Sequence, residues 1–137
     1  MAGEKVITRG RMFEPLLEAD PTFEPAWRAF LSDWEGEADL PHYMALGDLA
    51  RHLIDRLKCG DIEGFPAVFD VVEQWHRHGD HDVREAATVG LLESLQNTNL
   101  HSSTAPSEFE PWLGPETRRW WEKLHRFWSR GEIMKDD

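Results

Sequence analysis

Residues 79–95 read GDHDVREAATVGLLESL, and this stretch decides the predicted fold. Its apolar and small residues fall at helical spacing on one side: Val83, Ala86, Ala87, Gly90, Leu91, Leu92 and Leu95. The opposite side carries Glu85, Thr88 and Glu93. This spacing predicts a helix that packs closely against a neighbour. Asp80 or Asp82 can cap its first turn, because a carboxylate there accepts hydrogen bonds from free backbone N–H groups.

The neighbour is predicted from residues 65–75, directly before this stretch. Its apolar residues also have helical spacing: Phe65, Val68, Phe69, Val72 and Trp75. Gly79 and Asp80 then predict a tight acidic turn between the two helices. The central feature of the sequence is therefore a helical hairpin.

Four more helices are predicted from apolar spacing and from Gly or Pro at helix ends. One ends near Ala19, one runs from about Phe23 to Trp34, one covers Tyr43 to Cys59, and an aromatic helix begins at Gly114-Pro115-Glu116. The short Gly60-Asp61 connection predicts that the third and fourth helices pack antiparallel, with Asp61 capping the fourth.

Together these helices predict one all-α domain over residues 1–137. It has about six helices, arranged as stacked antiparallel hairpins of the HEAT-like kind and closed by the aromatic terminal helix. Residues 1–11 and 132–137 are predicted to be frayed ends, and the polar residues 101–111 are predicted to form a loop.

The formal net charge of −11 carries the first information about function. The charge is densest in residues 61–100, where 8 acidic residues outnumber 2 basic ones. This charge argues against nucleic acid and acidic membranes as partners, because phosphate binding depends on Lys and Arg. Two interpretations stay open: the acidity keeps the protein in solution, or it attracts a basic protein.

Cysteine content and hydropathy favour the cytoplasm. Cys59 is the one cysteine, so no internal disulfide is available and the chain fits a reducing compartment. No window approaches the roughly 18 apolar residues of a membrane span, and residues 1–11 lack the apolar core of a signal peptide.

Seven tryptophans are a high load for 137 residues. Helical spacing accounts for most of them, so we expect them to fill the core of a small helical protein. Trp112 lies in a Pro-flanked loop, where spacing does not explain it. It is therefore a candidate for contact with a partner.

One cluster has metal-ligand chemistry, at the turn of the hairpin: His76, His78, Asp80, His81 and Asp82. Histidines two residues apart on a helix diverge, so zinc ligation would depend on the shape of the turn. The alternative is an exposed polar turn whose histidines stabilise the helix C-terminus when charged. No nucleophile–base pair and no phosphate-binding glycine loop is found, so we predict no catalytic residue, no enzyme activity and no cofactor.

Residues 80–87, followed by Leu91, Leu92 and Leu95, resemble the second helix of HEAT-like repeats. A wider pattern is similar to a family of small uncharacterised bacterial proteins filed under a domain of unknown function. The residues that carry the pattern are 49–53, 60–61, 65–69, 79–80, 83–97, 112–116 and 120–121. The resemblance as a whole covers about residues 43–128. The resemblance implies a helical domain without catalytic residues, and similar sequences are associated with immunity proteins of bacterial toxin systems.

The predicted function is that of a non-catalytic cytosolic protein-binding module. In its most specific form it is an immunity protein that covers a basic toxin surface with an acidic helical face. The predicted partner-binding residues are Asp61, Glu63, Asp80, Asp82, Glu85, Glu93 and Trp112. One alternative is a structural subunit whose tryptophans bury a homodimer contact. Another is a metal protein that uses the turn from His76 to Asp82.

Overall fold

The computed structural model describes residues 6–38 and 40–130. Its α-helices are α1 (Phe13–Ala19), α2 (Glu24–Asp33), α3 (His42–Lys58), α4 (Phe65–His78), α5 (His81–Glu85), α6 (Glu93–Gln96) and α7 (Pro115–Arg130). A π-helical segment, Ala86–Leu92 (the π segment), joins α5 to α6 without a break. Short 3-10 helices lie at Pro21–Phe23, Thr98–Leu100 and Pro106–Trp112.

The predicted all-α class is confirmed, since the described residues contain helices and no strand longer than a single bridge. That bridge joins Ile7 to Gly79. The described residues form seven α-helices where about six were predicted, because the π segment divides the helix predicted over residues 79–95.

The π segment lies at the centre of the core. Its buried residues are Ala86, Ala87, Thr88, Gly90, Leu91 and Leu92. Helix α3 makes the most extensive contact with it, and α4 and α7 contact it as well. The predicted inner stripe is confirmed: Val83, Ala87, Leu91 and Leu95 are fully buried. The prediction that Thr88 lies on the outer face is wrong, because this residue is enclosed between packed helices and is 5% exposed.

Small residues bring α3 onto the π segment. A Cβ atom at Gly90 would lie 3.1 Å from Leu46 Cδ1 and 3.4 Å from the Tyr43 ring, so a larger residue would push the helices apart. The Tyr43 hydroxyl also contacts Glu85, one turn earlier in the run from α5 to α6. Helix α3 therefore packs chiefly on the π segment rather than on α4, against which it was predicted to pack.

The connection between α3 and α4 is longer than predicted. Gly60 ends α3 with a φ of +77°, as expected of a glycine at a helix end. Helix α4, however, begins at Phe65 with Pro66 in its first turn. Asp61 is therefore not its cap, and its carboxylate instead pairs with Arg56 at 2.8 Å.

Two segments predicted to lack structure have contacts of their own. The Ile7 N–H donates to the His78 carbonyl and the Asp80 N–H donates to the Ile7 carbonyl, both at 2.9 Å. Within 101–111, the 3-10 helix Pro106–Trp112 inserts a fully buried Phe109 into the core. The predicted frayed ends over residues 1–5 and 132–137 lie outside the described residues.

Candidate functional site

A cluster of polar side chains lies inside the core, between α4, the π segment and α7 (the buried network). Its members are Glu73, His76, Thr88 and Thr117, all buried. His76 Nδ1 lies 3.0 Å from the Val72 carbonyl oxygen and 3.1 Å from Thr117 Oγ1. Its Nε2 lies 3.1 Å from Thr88 Oγ1. A carbonyl can only accept, so we assign the proton to Nδ1 and let Nε2 accept from the Thr88 hydroxyl.

Glu73 holds the beginning of α7. Its carboxylate accepts hydrogen bonds from the N–H groups of Glu116 at 3.1 Å and Thr117 at 2.9 Å. These donors belong to the first turn of α7, where backbone N–H groups have no helical partner and a negative charge is favoured. Gly114 makes room for the carboxylate, because a Cβ atom there would lie 2.5 Å from Glu73 Oε1.

Burial lowers the pKa of His76 to about 4. Glu73 and Glu116 raise it by smaller amounts, as does the bond to Val72, while Arg84 lowers it further. His76 is therefore neutral at pH 7, as the assigned hydrogen bonds require. Perturbed pKa values often mark active sites, but every buried side-chain polar atom of the described residues has a partner. We therefore interpret the buried network as a set of structural contacts that joins α4, the π segment and α7.

The exposed polar turn, one of the two interpretations of residues 76–82, is wrong for His76, whereas His81 and Asp82 are exposed. His76 is 3% exposed and is bonded to Thr88 and Thr117, whereas His81 lies on the surface with its Nε2 3.4 Å from Glu85 Oε2. Within residues 6–38 and 40–130, no three His, Cys, Asp or Glu side chains come together in a way that could hold a metal ion. The prediction was wrong for His76 because α4 packs against α7 and the π segment. This packing buries the His76 ring and separates it from the other side chains of the turn.

An exposed face lies at the start of α5 (the turn face: Tyr43, Asp82 and Glu85). Tyr43 is 43% exposed. The Tyr43 hydroxyl donates to Glu85 Oε1 at 2.8 Å. Partial burial, then Glu85, then Asp82 raise the pKa of Tyr43 to about 12, while Arg9 opposes them. The turn face thus combines an exposed aromatic side chain with two carboxylates.

Asp80 lies beside the turn face and has a structural task. Its carboxylate accepts from the Val83 N–H at 2.9 Å, which confirms it as the cap of α5. Asp80 is only partly exposed, whereas Asp82 and Glu85 are exposed, so these two are the better candidates for partner contact.

The seven predicted partner-binding residues do not form one surface. Asp61 and Glu63 lie at the opposite end of α4 from Asp82, and the 14 residues of that helix span roughly 20 Å. Trp112 packs on the core, with its ring 5.1 Å from that of Phe65 in an edge-on contact. The structure therefore brings together only the acidic residues around the start of α5.

Glu93 lies in a different place, at a cleft of about 680 Å³ between α6 and α7. Its walls come from α6 and the following turn, from the 3-10 helix at 106–112, and from α7. The lining residues are Glu93, Ser94, Gln96, Asn97, Thr98, Pro106, Ser107, Glu110, Trp121, His125 and Trp128. Partial burial raises the pKa of Glu93 above its usual value.

Sequence reasoning placed Glu93 among the site residues but missed the cleft. Glu110 and Trp128 belong to segments that are separated from α6 in the sequence. No local sequence pattern shows that these segments lie close to α6 in the structure. A usable signal was present in α7, where Trp121, His125 and Trp128 share one helical stripe. A histidine inside an otherwise aromatic stripe points to a face that is not completely buried.

Comparison with known proteins adds a family. No helix in the described part of the chain is both long and apolar enough to cross a membrane. No curated protein and no solved structure matches the chain. A family model matches residues 13–129, which extends the resemblance noted for residues 43–128 toward the N-terminus and includes α1 and α2. The chain belongs to the family of the domain of unknown function DUF7674.

Proposed function

We propose that this chain is a non-catalytic protein-binding module whose partner is a basic protein. The observation that carries the proposal is the turn face, where the exposed Tyr43 is bonded to Glu85 and lies near Asp82. Aromatic residues are enriched in protein interfaces, and large exposed apolar groups ringed by charge often mark binding surfaces. The turn face has this composition.

Electrostatics favours a basic partner for the turn face. Its two carboxylates lie in the region of the chain with the densest negative charge, residues 61–100. Carboxylates at the edge of an interface speed encounter with a positive surface more than they strengthen the final complex. Tyr43 donates its hydroxyl hydrogen to Glu85, so the phenol and the carboxylate are already oriented in the free protein.

The more specific proposal is an immunity protein that covers the basic surface of a bacterial toxin in the cytoplasm. The resemblance noted in the sequence implies this role, and the acidic turn face fits it. A surface of this kind inhibits by occupying the partner's site, and it requires no catalytic group of its own.

A homodimer is the second candidate function, and the exposed end of α7 favours it. Phe127 and Trp128 are 39% and 58% exposed, and their rings lie 5.2 Å apart in an edge-on contact. Burying such a pair against a second copy would stabilise a dimer. Sedimentation at several concentrations decides this: a dimer predicts a coefficient that rises with concentration and a Trp128→Ala variant that stays monomeric.

The main proposal is tested by affinity purification from a lysate of the native host, with the wild type and two variants. Asp82→Lys/Glu85→Lys reverses the charge of the turn face. Asp61→Lys/Glu63→Lys makes the same charge change at the far end of α4 and is the matched control. We expect the wild type and the control to retain the same basic protein, to release it at raised salt, and the turn-face variant to lose it. Equal recovery by both variants would remove the turn face from the proposal.

A further inference from the structure

We infer that the cleft between α6 and α7 binds an arginine side chain of a partner polypeptide. None of the residues that line the cleft belongs to the turn face, so this inference does not rest on the function proposed above. It is carried by the size of the cleft, by its unpaired carboxylates and by an exposed indole on one wall.

The cleft has the dimensions of a ligand site. Its volume of about 680 Å³ lies within the roughly 300–1,000 Å³ that is typical of such sites. The α7 wall presents Trp121, which is 4% exposed, and Trp128, which is 58% exposed. The opposite walls supply polar groups from α6 and from the 3-10 helix at 106–112. An extended side chain with a charged end fits an apolar wall facing polar ones.

The cleft holds two carboxylates and no permanent cation. Within the described residues, the side chains of Glu93 and Glu110 form neither an ion pair nor a hydrogen bond, and neither Lys nor Arg lines the cleft. Burial without a partner is what raises the pKa of Glu93. A cation entering the cleft would relieve this cost, since a partly desolvated carboxylate gains from an opposite charge.

Three other polar side chains of the cleft have hydrogen bonds of their own. Ser94 Oγ donates to the Gly90 carbonyl at 2.7 Å, and Gln96 Nε2 donates to the Trp121 carbonyl at 2.9 Å. Asn97 Oδ1 accepts from the Asn99 N–H at 3.0 Å. The strongest acceptors left for a ligand are therefore the two carboxylates. Arg118 and Arg126 line an adjoining pocket of about 340 Å³, where Arg118 donates to the Glu110 main-chain carbonyl.

Trp128 favours arginine over lysine. A planar guanidinium stacks on an indole face and donates to carboxylates at the same time, whereas an ammonium is a compact and strongly hydrated charge. Trp120 of the same helix already has Lys123 and Arg119 over its ring, at 4.4 Å and 5.2 Å from the centroid. Among the described residues Trp128 has only the edge contact with Phe127. Its exposed face is therefore open to a guanidinium.

The test is an NMR titration of the ¹⁵N-labelled full chain with L-argininamide at pH 7.5. L-citrullinamide is the matched control ligand, because it has nearly the same shape and no charge. We expect argininamide to cause saturable shifts confined to residues 93–98, 106–110 and 121–128. We expect citrullinamide to bind at least about tenfold more weakly, since a charge-assisted hydrogen bond is worth about a factor of ten or more.

Three variants complete the test. Glu93→Gln/Glu110→Gln should weaken argininamide binding about tenfold or more, and Trp128→Ala should weaken it severalfold. Glu63→Gln, an exposed residue in the connection before α4, is the control and should bind as the wild type does. The turn-face variant Asp82→Lys/Glu85→Lys should also retain binding, which separates this inference from the function proposed above.

Several results would overturn the inference. They are the absence of saturable shifts, equal binding of citrullinamide, or unchanged binding by Glu93→Gln/Glu110→Gln with a native-like spectrum. If that double variant does not fold, Trp128→Ala decides, and unchanged affinity in a folded Trp128→Ala protein has the same consequence.

Discussion

The two halves of α7 use polar residues in opposite ways. In the N-terminal half, Glu73 accepts from two backbone N–H groups and Thr117 is bonded to His76, so the buried network is closed to solvent. In the C-terminal half, His125 and Trp128 line an open cleft in which the Glu93 carboxylate has no hydrogen bond or ion pair within the described residues. The comparison teaches that a buried polar group with all its partners holds the fold, whereas an unpaired one is available to a ligand.

The largest effect on stability is expected from removing the Glu73 carboxylate, which holds the N-terminal half of α7. Glu73→Ala leaves the buried Thr117 N–H and the part-buried Glu116 N–H of α7 without an acceptor. We expect the free energy of unfolding to fall by about 3 kcal/mol, measured by chemical denaturation. Glu63→Ala, in an exposed position, should change it by less than about 0.5 kcal/mol. Equal effects of the two substitutions would show that Glu73 does not hold α7.

The contribution of His76 to the buried network is tested by the pH dependence of stability. The folded-state pKa of His76 is lowered to about 4, below its usual 6.5. As the pH falls from 6.5 toward 4, the unfolded chain takes up a proton and the folded chain does not, so stability is lost in this window. Between pH 7 and pH 5 the loss due to His76 should be about 2 kcal/mol.

His76→Gln isolates this contribution, because glutamine keeps a donor and an acceptor but does not titrate. We expect its unfolding free energy to vary less between pH 7 and pH 5 than that of the wild type. His81→Gln, on the exposed turn, is the control and should keep the wild-type pH dependence. A wild-type slope in His76→Gln would contradict the assignment.

A smaller loss of stability is expected from a substitution that fills the space beside the Glu73 carboxylate. Gly114→Ala places a methyl group against the Glu73 carboxylate, within 2.5 Å of Oε1. We expect a loss of about 1.5 kcal/mol in the free energy of unfolding, since the cap must shift. Gly64→Ala is the matched control: a Cβ atom there meets no other atom within 4 Å, and its φ is −82°. It should leave stability unchanged or raise it slightly.

The smallest effect on stability is expected from removing the carboxylates of the cleft between α6 and α7. Glu93→Gln/Glu110→Gln removes two carboxylates that do not hold the fold. The unfolding free energy at pH 7 should change by less than about 0.5 kcal/mol, with any change toward higher stability, because burial disfavours the charged form of Glu93. A large loss would show that the cleft carboxylates have structural partners, and the comparison between the two halves of α7 would fail.

Local patterns in the sequence predicted much of the fold. The apolar stripe of Val83, Ala87, Leu91 and Leu95 is fully buried, and Asp80 caps α5 as expected. Periodicity and caps depend on residues a few positions apart, so they can be read directly. Thr88 and His76 could not be assigned in this way, because their burial depends on how α4 and α7 enclose the π segment.

The candidate sites were less predictable than the fold. Asp82 and Glu85 were identified, but their neighbour Tyr43 comes from α3, about forty positions earlier. The α6–α7 cleft joins residues 93–98 to 106–110 and 121–128. Such groupings arise from the direction in which helices pack, and one sequence without its three-dimensional contacts does not specify that direction.

The most direct test of the contrast within α7 is one NMR pH titration that follows the His76 ring and the Glu93 carboxyl group in the same sample. We predict that His76 stays neutral down to about pH 4 and that Glu93 has a pKa above its usual value. A His76 ring that titrates near pH 6.5, together with a Glu93 carboxyl at or below its usual pKa, would contradict the account. In that case the buried network would be open to solvent, and the cleft carboxylate would already have a partner.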